Sequence, residues 1–465
     1  MKKYLLSFLG ALAANAAFGA DLPTNEPRPT PLTRPEMKQY LEDMKARKPR
    51  IPLPELTEED KAKLGERGGS YEGRLRYHYM PQSGEGRGAG GRGGSGFSFG
   101  PSGTEATLDN TFKVQLFWLV SRANNCQYCQ GHQESKLLRA GMKEDEIAAL
   151  DSDWNAFGEA QKVAFAFAVK FTNNPHLLND ADIEGLRKHY SNEKILEMIL
   201  SMAGNNSINR WKEGTGVPQN EGSGGFGFGR AGGERPATTE KHTYLTPTAD
   251  KYKSAVTKVS PLEIDPKTGG PSRATVCKRP ALESRSETEA ALAAAAKRTP
   301  RLPLVDDAKA REVVPADYPK GELPQWIRLL ATFPEQAKSR VASQISAETR
   351  GDLKPLLKAQ ASWIIARQDR AWYATAEAKK RLQALGQTDD QIYALDGDWK
   401  SYTPTEQAMF TVAKKLAASP VVLTDDDVTA AVKLAGPRDV VQLISYVTTR
   451  ASFDRITESA GLRAE

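Results

Sequence analysis

The chain repeats itself, and the repeat limits what it can fold into. Trp118 to Arg210 matches Trp363 to Arg455 at a constant offset of 245 residues, without a gap. Leu150-Asp151-Ser152-Asp153-Trp154 stands against Leu395-Asp396-Gly397-Asp398-Trp399, Arg122 against Arg367, and Gly141 against Gly386. Upstream the match resumes at an offset of 251, pairing Thr33-Arg34 with Ser284-Arg285 and Pro49-Arg50-Ile51-Pro52-Leu53 with Pro300-Arg301-Leu302-Pro303-Leu304. Copy 1 is therefore six residues longer within that interval, where it carries a glycine tract that copy 2 lacks. Whatever fold one unit adopts, the other adopts too, and 465 residues divide into domains rather than one core.

Within each unit the apolar spacing is helical. Phe112, Leu116, Trp118, Leu119 and Val120 recur at near-helical spacing, a dense apolar stretch runs from Val163 to Phe171, and Ile195, Met198, Ile199 and Met202 form an amphipathic face. Gly141 and Asn173-Asn174-Pro175 read as helix ends, and Asp180 as a cap. No segment sustains a period of two. The expected fold is all-α: two tandem helical domains joined by flexible Gly/Pro-rich segments. The boundaries read as a leader at 1–20, an N-terminal extension with helix and Gly-rich tract at 21–103, the first unit at 104–217, a linker at 218–283 and the second unit at 284–465.

The ends and the composition narrow the function classes. Lys2 and Lys3 precede an apolar run from Tyr4 to Phe18, and small residues lead to Asp21. This is the pattern of a cleaved secretory signal, and the run is shorter than the roughly 20 residues of a membrane span. The alternative, a retained anchor, has length against it. The expected location is periplasmic or secreted, with no membrane span after cleavage. A net charge of +6 with acids and bases interleaved reads as a solvated surface, and no nucleic-acid partner is expected. The tracts from Gly84 to Gly103 and from Gly222 to Gly233 cannot bury enough apolar surface to fold by themselves. They read as flexible connections, or as adhesive segments through their Phe and Arg.

The chemistry-bearing constellation is Asn124-Asn125-Cys126-Gln127-Tyr128-Cys129-Gln130-Gly131-His132. Copy 2 has Ala371, Ala374 and Glu377 where copy 1 has Cys126, Cys129 and His132, while Tyr128 persists as Tyr373. The unit folds without the thiols, so packing alone does not require them. Asn124 or Asn125 can cap a helix that opens with Cys126. Residues three apart then share a face, about 5–6 Å apart at Cβ, against the ~3.8 Å of a disulfide. A Cys126–Cys129 bond can close with modest distortion, which suits a reversible disulfide. An ordinary thiol titrates near ~8.5, so half ionisation at neutral pH needs about 2 kcal/mol. A helix N-terminus supplies ~0.3–1 kcal/mol, so a further group is required, and His132 stands one turn on. The expected roles are Cys129 as attacking thiolate, Cys126 as resolving thiol and His132 as proton partner. Gln130 directly after the second Cys rules out c-type haem attachment. A structural zinc lacks a fourth ligand, and a purely structural disulfide across so short a loop stabilises little; both stay open alternatives. No metal or other cofactor is expected. His176 and His189 read as structural or surface residues, His78 and His242 lie near low-complexity segments, and Cys277 reads as a bystander or an inter-chain thiol.

The run from Ser121 to Cys129, His132, Leu137-Leu138-Arg139-Ala140-Gly141 and the Asn206-Ser207-Ile208-Asn209-Arg210-Trp211 segment resemble the alkyl hydroperoxidase D-like (carboxymuconolactone decarboxylase) family. The resemblance covers the core of copy 1, and copy 2 through the repeat. It implies an all-α fold, homo-oligomerisation and, for members with the Cys pair, peroxidase or disulfide-reductase chemistry. Such members place the His four residues after the second Cys; here that position is Gln133. They place a proton-relay Glu twelve residues before the first Cys; here that position is Val114, and Ala359 in copy 2. Glu134 and Glu197 are the candidate replacements, although by spacing Glu134 reads as solvated and Glu197 as a helix-surface residue. The function expected is an exported thiol peroxidase with a peroxide substrate and an unidentified thiol reductant. The alternatives are a thiol–disulfide exchange protein, or a non-catalytic scaffold in which copy 2 is a built-in dimer mate.

Overall fold

The computed structural model describes residues 25–65, 70–81, 101, 103–219, 243–261, 263–264, 271–272 and 281–464. The leader, most of the first glycine tract, all of the second, His242 and Cys277 lie outside the described residues. The N-terminal extension contributes α1 (Arg34–Asp43), α2 (Glu58–Leu64) and α3 (Tyr71–Tyr79). The first unit comprises α4 (Asn110–Ala123), α5 (Gln127–Arg139), α6 (Glu144–Ser152), α7 (Glu159–Asn173), α8 (Asp180–Arg187) and α9 (Asn192–Thr215). Then come α10 (Asp250–Lys253), α11 (Arg285–Ala295), α12 (Asp307–Ala310), α13 (Gln325–Leu330) and α14 (Pro334–Thr349). The second unit comprises α15 (Pro355–Asp369), α16 (Trp372–Ala384), α17 (Asp389–Ala394), α18 (Pro404–Ala417), α19 (Asp425–Ala435) and α20 (Pro437–Ser459). Among the described residues, strand structure is limited to a two-residue antiparallel pair, Glu263–Ile264 with Pro271–Ser272, and one isolated bridge. The architecture is all-α.

All six helices of one unit start in register with those of the other at the offset of 245. The offset of 251 likewise takes α1 onto α11, and both open on a capping box. Glu36 accepts from the Thr33 amide at 3.3 Å and Glu287 from the Ser284 amide at 2.8 Å. Buried ion pairs repeat too: Arg122 Nε to Asp151 and Arg367 Nε to Asp396, both at 3.0 Å. At α8 the expectation needs correcting. Asn179 is the cap, its side chain accepting from the Ala181 and Asp182 amides, and Asp180 is the first helical residue.

The units meet through reciprocal contacts of the kind a twofold axis generates. The most extensive helix pairing in the molecule is α9 with α20. At Gly214 a Cβ would stand 2.7 Å from Ile444 Cγ2, so a hydrogen there lets the two helices approach. Arg210 Nη2 donates to the Ala417 carbonyl at 2.8 Å; its equivalent Arg455 donates to the carbonyl of Thr172, the equivalent of Ala417, at 3.0 Å. Arg50 pairs with Asp425, and Arg301 with Asp180. Arg50 and Arg301 also reach the carbonyls of Glu213 and Glu458, each at 2.6 Å. One buried cluster runs from Met37, Trp118 and Phe165 to Trp326, Tyr373 and Phe453, so the copies share core rather than hang as separate beads.

Within 218–283 the described residues pack on the first unit and the N-terminal extension. The Thr257 and Lys258 amides donate to the Leu32 and Asp151 carbonyls, and Tyr244, Tyr252 and Val259 are buried. Those three apolar anchors are diluted in the segment's average composition. Opposite the first glycine tract, at the offset of 251, copy 2 places α14.

Candidate functional site

The cysteines sit at an elbow between α4 and α5. Helix α4 ends in a Schellman turn: the Cys126 amide donates to the Ser121 carbonyl at 2.9 Å and the Asn125 amide to the Arg122 carbonyl at 3.1 Å. Asn125 takes the left-handed conformation this turn demands, with φ +56°, a region Asn tolerates better than most residues. Copy 2 repeats the turn with Arg370 at φ +53°. Cys126 is therefore itself the N-cap residue of α5, and neither asparagine caps that helix. The Asn124 amide nitrogen instead donates to Asn206 and Asn209, at 2.9 and 3.0 Å, and Asn125 donates to the Arg28 carbonyl at 3.1 Å.

Both sulfurs are free thiols and both are enclosed: Cys126 is 0% exposed and Cys129 3%. They pack with Phe117, Tyr128 and Val217. Burial pushes the Cys126 thiol well up, and its hydrogen bond toward Cys129 pushes the same way. The Cys126 thiol also lies in hydrogen-bonding reach of Glu213. Burial opposes the Glu213 charge, but Arg28, Arg47 and Arg50 overcome it and hold the carboxyl at about 2. Arg28 Nη2 stands 2.9 Å and Arg47 Nη2 3.3 Å from its Oε2. Burial, then Cys129 and the Glu213 charge, thus favour the protonated form of Cys126.

Two lysines face Cys129. Burial works against the Lys212 charge, but Glu72, then Tyr128 and Cys129, raise its pKa overall. Its Nζ lies 4.4 Å from the Tyr128 ring centroid. Partial burial works against the Glu72 charge too, yet Lys212 and Arg76 keep it well below the usual carboxylate range. Lys136 is pulled down chiefly by burial, with Cys129 acting in the opposite sense. The charge near Cys129 therefore comes from α9 and the last turn of α5.

His132 does not supply it. Burial, then Lys212, lowers its pKa to about 4, so the imidazole is neutral at neutral pH. Its ring stacks on Tyr128, centroids 4.5 Å apart, and Nδ1 stands 3.1 Å from the Tyr128 carbonyl. A carbonyl only accepts, so Nδ1 carries the hydrogen and Nε2 the lone pair. Glu134 is not a solvated residue: it is 3% exposed, held by Arg34 through both oxygens at 2.6 and 2.7 Å, and accepts from Trp118 Nε1. Glu197 is not on the surface either; it is 0% exposed, accepts from the Thr107 and Leu108 amides, and pairs with Lys113 at 3.0 Å. Both acids are bound to cations or amides of other elements, whereas Glu213 is the acid beside Cys126. Of the other histidines, His78 packs edge-on against Tyr77, and His189 against Tyr190. Among the described residues, no group of three or more His, Cys, Asp or Glu side chains is placed to hold a metal ion. No helix among them is long and apolar enough to cross a membrane.

Copy 2 keeps the backbone of the site without its chemistry. Ala371 has φ −85° and ψ 88°, against −89° and 88° at Cys126. Glu377 replaces His132 and is pushed up by burial against the pull of Arg450 and Arg381. Glu213 persists as Glu458, which accepts from the Tyr373 amide at 3.3 Å. Compared with protein-family models and with curated protein sequences, the chain matches none of them.

Proposed function

We propose that this chain is an exported thiol-dependent peroxidase of the alkyl hydroperoxidase D-like kind, working through Cys126 and Cys129 of copy 1. The Cys129 thiolate attacks the terminal oxygen of a hydroperoxide, the O–O bond breaks, and the alkoxide leaves as an alcohol after taking a proton. Cys129 becomes a sulfenic acid. The Cys126 sulfur then attacks the Cys129 sulfur, its proton leaves with the hydroxyl as water, and the disulfide closes. An external dithiol returns both sulfurs to the reduced state by exchange. The observation that carries this reading is the pair of free thiols at the opening of α5, with burial holding the Cys126 thiol well above its ordinary pKa. It marks Cys126 as the thiol in reserve and Cys129, beside Lys136 and Lys212, as the nucleophile.

With the sulfurs 0% and 3% exposed, a small hydroperoxide suits the site and a disulfide on a folded protein does not. Peroxide reduction is therefore preferred to thiol–disulfide exchange with protein substrates. The homo-oligomer that the family resemblance implies is, on this reading, built in part within one chain. The same burial favours the second reading, a paired helical scaffold whose thiols are packing residues, because structural buried cysteines are inert. Peroxide consumption with a dithiol reductant separates the two. The peroxidase reading expects turnover in the wild type, its loss in Cys129→Ser, and in Cys126→Ser a single turnover ending in a trappable sulfenic acid. Equal rates in all three proteins reject it.

A further inference from the structure

We infer that copy 2 is a working part of the redox site of copy 1: the loop from Ser419 to Asp425 is a positioning element for Cys126. The inference deepens the thiol reading of that site and rests on it. Two separate attachments run from this loop to the two sides of Cys126. The first holds the elbow. Ser419 Oγ donates to Asn124 Oδ1 at 2.8 Å, and the Val421 amide donates to the Asn124 carbonyl at 3.2 Å. The Asn124 amide nitrogen is already committed to Asn206 and Asn209, so only its oxygen can face copy 2. Ser419 Oγ also accepts from Arg210 Nη2 at 2.8 Å and Arg455 Nη2 at 3.1 Å, which fills both its lone pairs and fixes where its hydrogen points.

The second attachment holds the acid. Arg50 is gripped by the Asp425 carboxylate and the Leu423 carbonyl, and gives its remaining nitrogen to the Glu213 carbonyl. Glu213 is the acid whose charge acts on the Cys126 thiol. The turn that carries Cys126 and the acid that faces it are therefore both fastened to copy 2. The mirror contacts exist, with Arg301 gripped by Asp180 and reaching Glu458, but there they brace an elbow carrying Ala371. The arginine brace is symmetric; its chemical consequence is one-sided.

That asymmetry provides the control. In the full-length reduced protein, Asp425→Asn and Asp180→Asn remove equivalent ion pairs and are expected to lower the melting temperature alike. Only Asp425→Asn is expected to change the thiols: alkylation of Cys129 by iodoacetamide at neutral pH falls by about tenfold, the scale of one charge-assisted hydrogen bond, and the pH–rate profile moves with it. Asp180→Asn is expected to leave both unchanged. Should Asp425→Asn fail to fold, Arg50→Lys against Arg301→Lys, its equivalent in copy 2, gives the same contrast. Equal effects of the paired variants, or none from either, overturn the inference, because a merely structural contact shifts melting without shifting thiol reactivity. Alkylation is read whether or not peroxide is consumed, so absence of peroxidase turnover in the wild type defeats the proposed reaction and leaves this contrast standing.

Discussion

Cys126→Ala tests the electrostatics of the site most directly, because the protein already contains the product. Ala371 occupies the equivalent turn with φ and ψ within a few degrees of Cys126, so alanine fits the elbow without backbone change. What the substitution removes is the thiol that donates toward Cys129 and Glu213. A hydrogen bond to a charged acceptor contributes about 1.5–3 kcal/mol, and each ~1.4 kcal/mol is a factor of ten. Alkylation of Cys129 at neutral pH should therefore slow by about ten- to a hundredfold. Cys126→Ser keeps a donor and should fall between alanine and wild type. Iodoacetamide labelling of the reduced proteins, followed by mass spectrometry, reads this without peroxide. Burial keeps the Cys126 proton in place far above neutral pH, so the wild-type signal belongs to Cys129. Identical labelling rates for wild type, serine and alanine would refute the claim that Cys126 assists its neighbour.

Other perturbations probe the surroundings. The His132 pKa is lowered from 6.5 to about 4, so between those values the unfolded chain binds more protons and stability falls as pH drops. The shift corresponds to about 3 kcal/mol, and His132→Gln should flatten the decline in urea midpoint between pH 7 and pH 4; an unchanged slope counts against a buried neutral ring. Gly131→Ala should destabilise despite alanine's better helix propensity, because the new Cβ would lie 2.6 Å from both Gln219 Nε2 and the Tyr244 hydroxyl. Shortening the ring with Tyr244→Phe should recover part of that loss in thermal melts. Asp454 is buried with neither carboxylate oxygen hydrogen-bonded, and burial together with Asp369 raises its pKa well above the ordinary value. A raised carboxyl costs stability as pH climbs above its unfolded value, so Asp454→Asn should stabilise the fold at pH 7 by about 1–3 kcal/mol, raising the melting temperature, and change little near pH 3. Copy 1 has Asn209 at that position. A melting temperature unchanged at pH 7 would show that the acid is accommodated.

Helix boundaries were legible because their causes are local or repeated. Gly141 takes φ +91° just past the end of α5, the Asn173-Asn174-Pro175 turn closes α7, and the gapless repeat carries the same ends into the second unit. The site was only half legible. Cys126, Cys129 and His132 announce themselves by spacing, but the charges around them come from far along the chain. Glu72 reaches Lys212 over 140 residues, and Arg34 reaches Glu134 over 100. Pattern at helical spacing cannot report such pairings, so Glu134 read as solvated although Arg34 and Trp118 draw it inside. Lys212 and Glu213 are adjacent, yet one serves Cys129 and the other Cys126. The usable signal was two charged residues closing a helix whose preceding turns are buried. Asn125 misled because the same residue type caps helices and tolerates positive φ, and here the second property is the one in use.

The pairing of α9 with α20 has a consequence for how the molecule behaves when scarce. Two identical chains joined by such a surface would part on dilution, and any substitution on one side of the join would recur on the other. Carried in a single polypeptide, the join closes as a first-order event whose effective concentration is set by the connecting chain. It stays shut however few molecules are present, and Asn124 can diverge from Asp369 without either half having to follow.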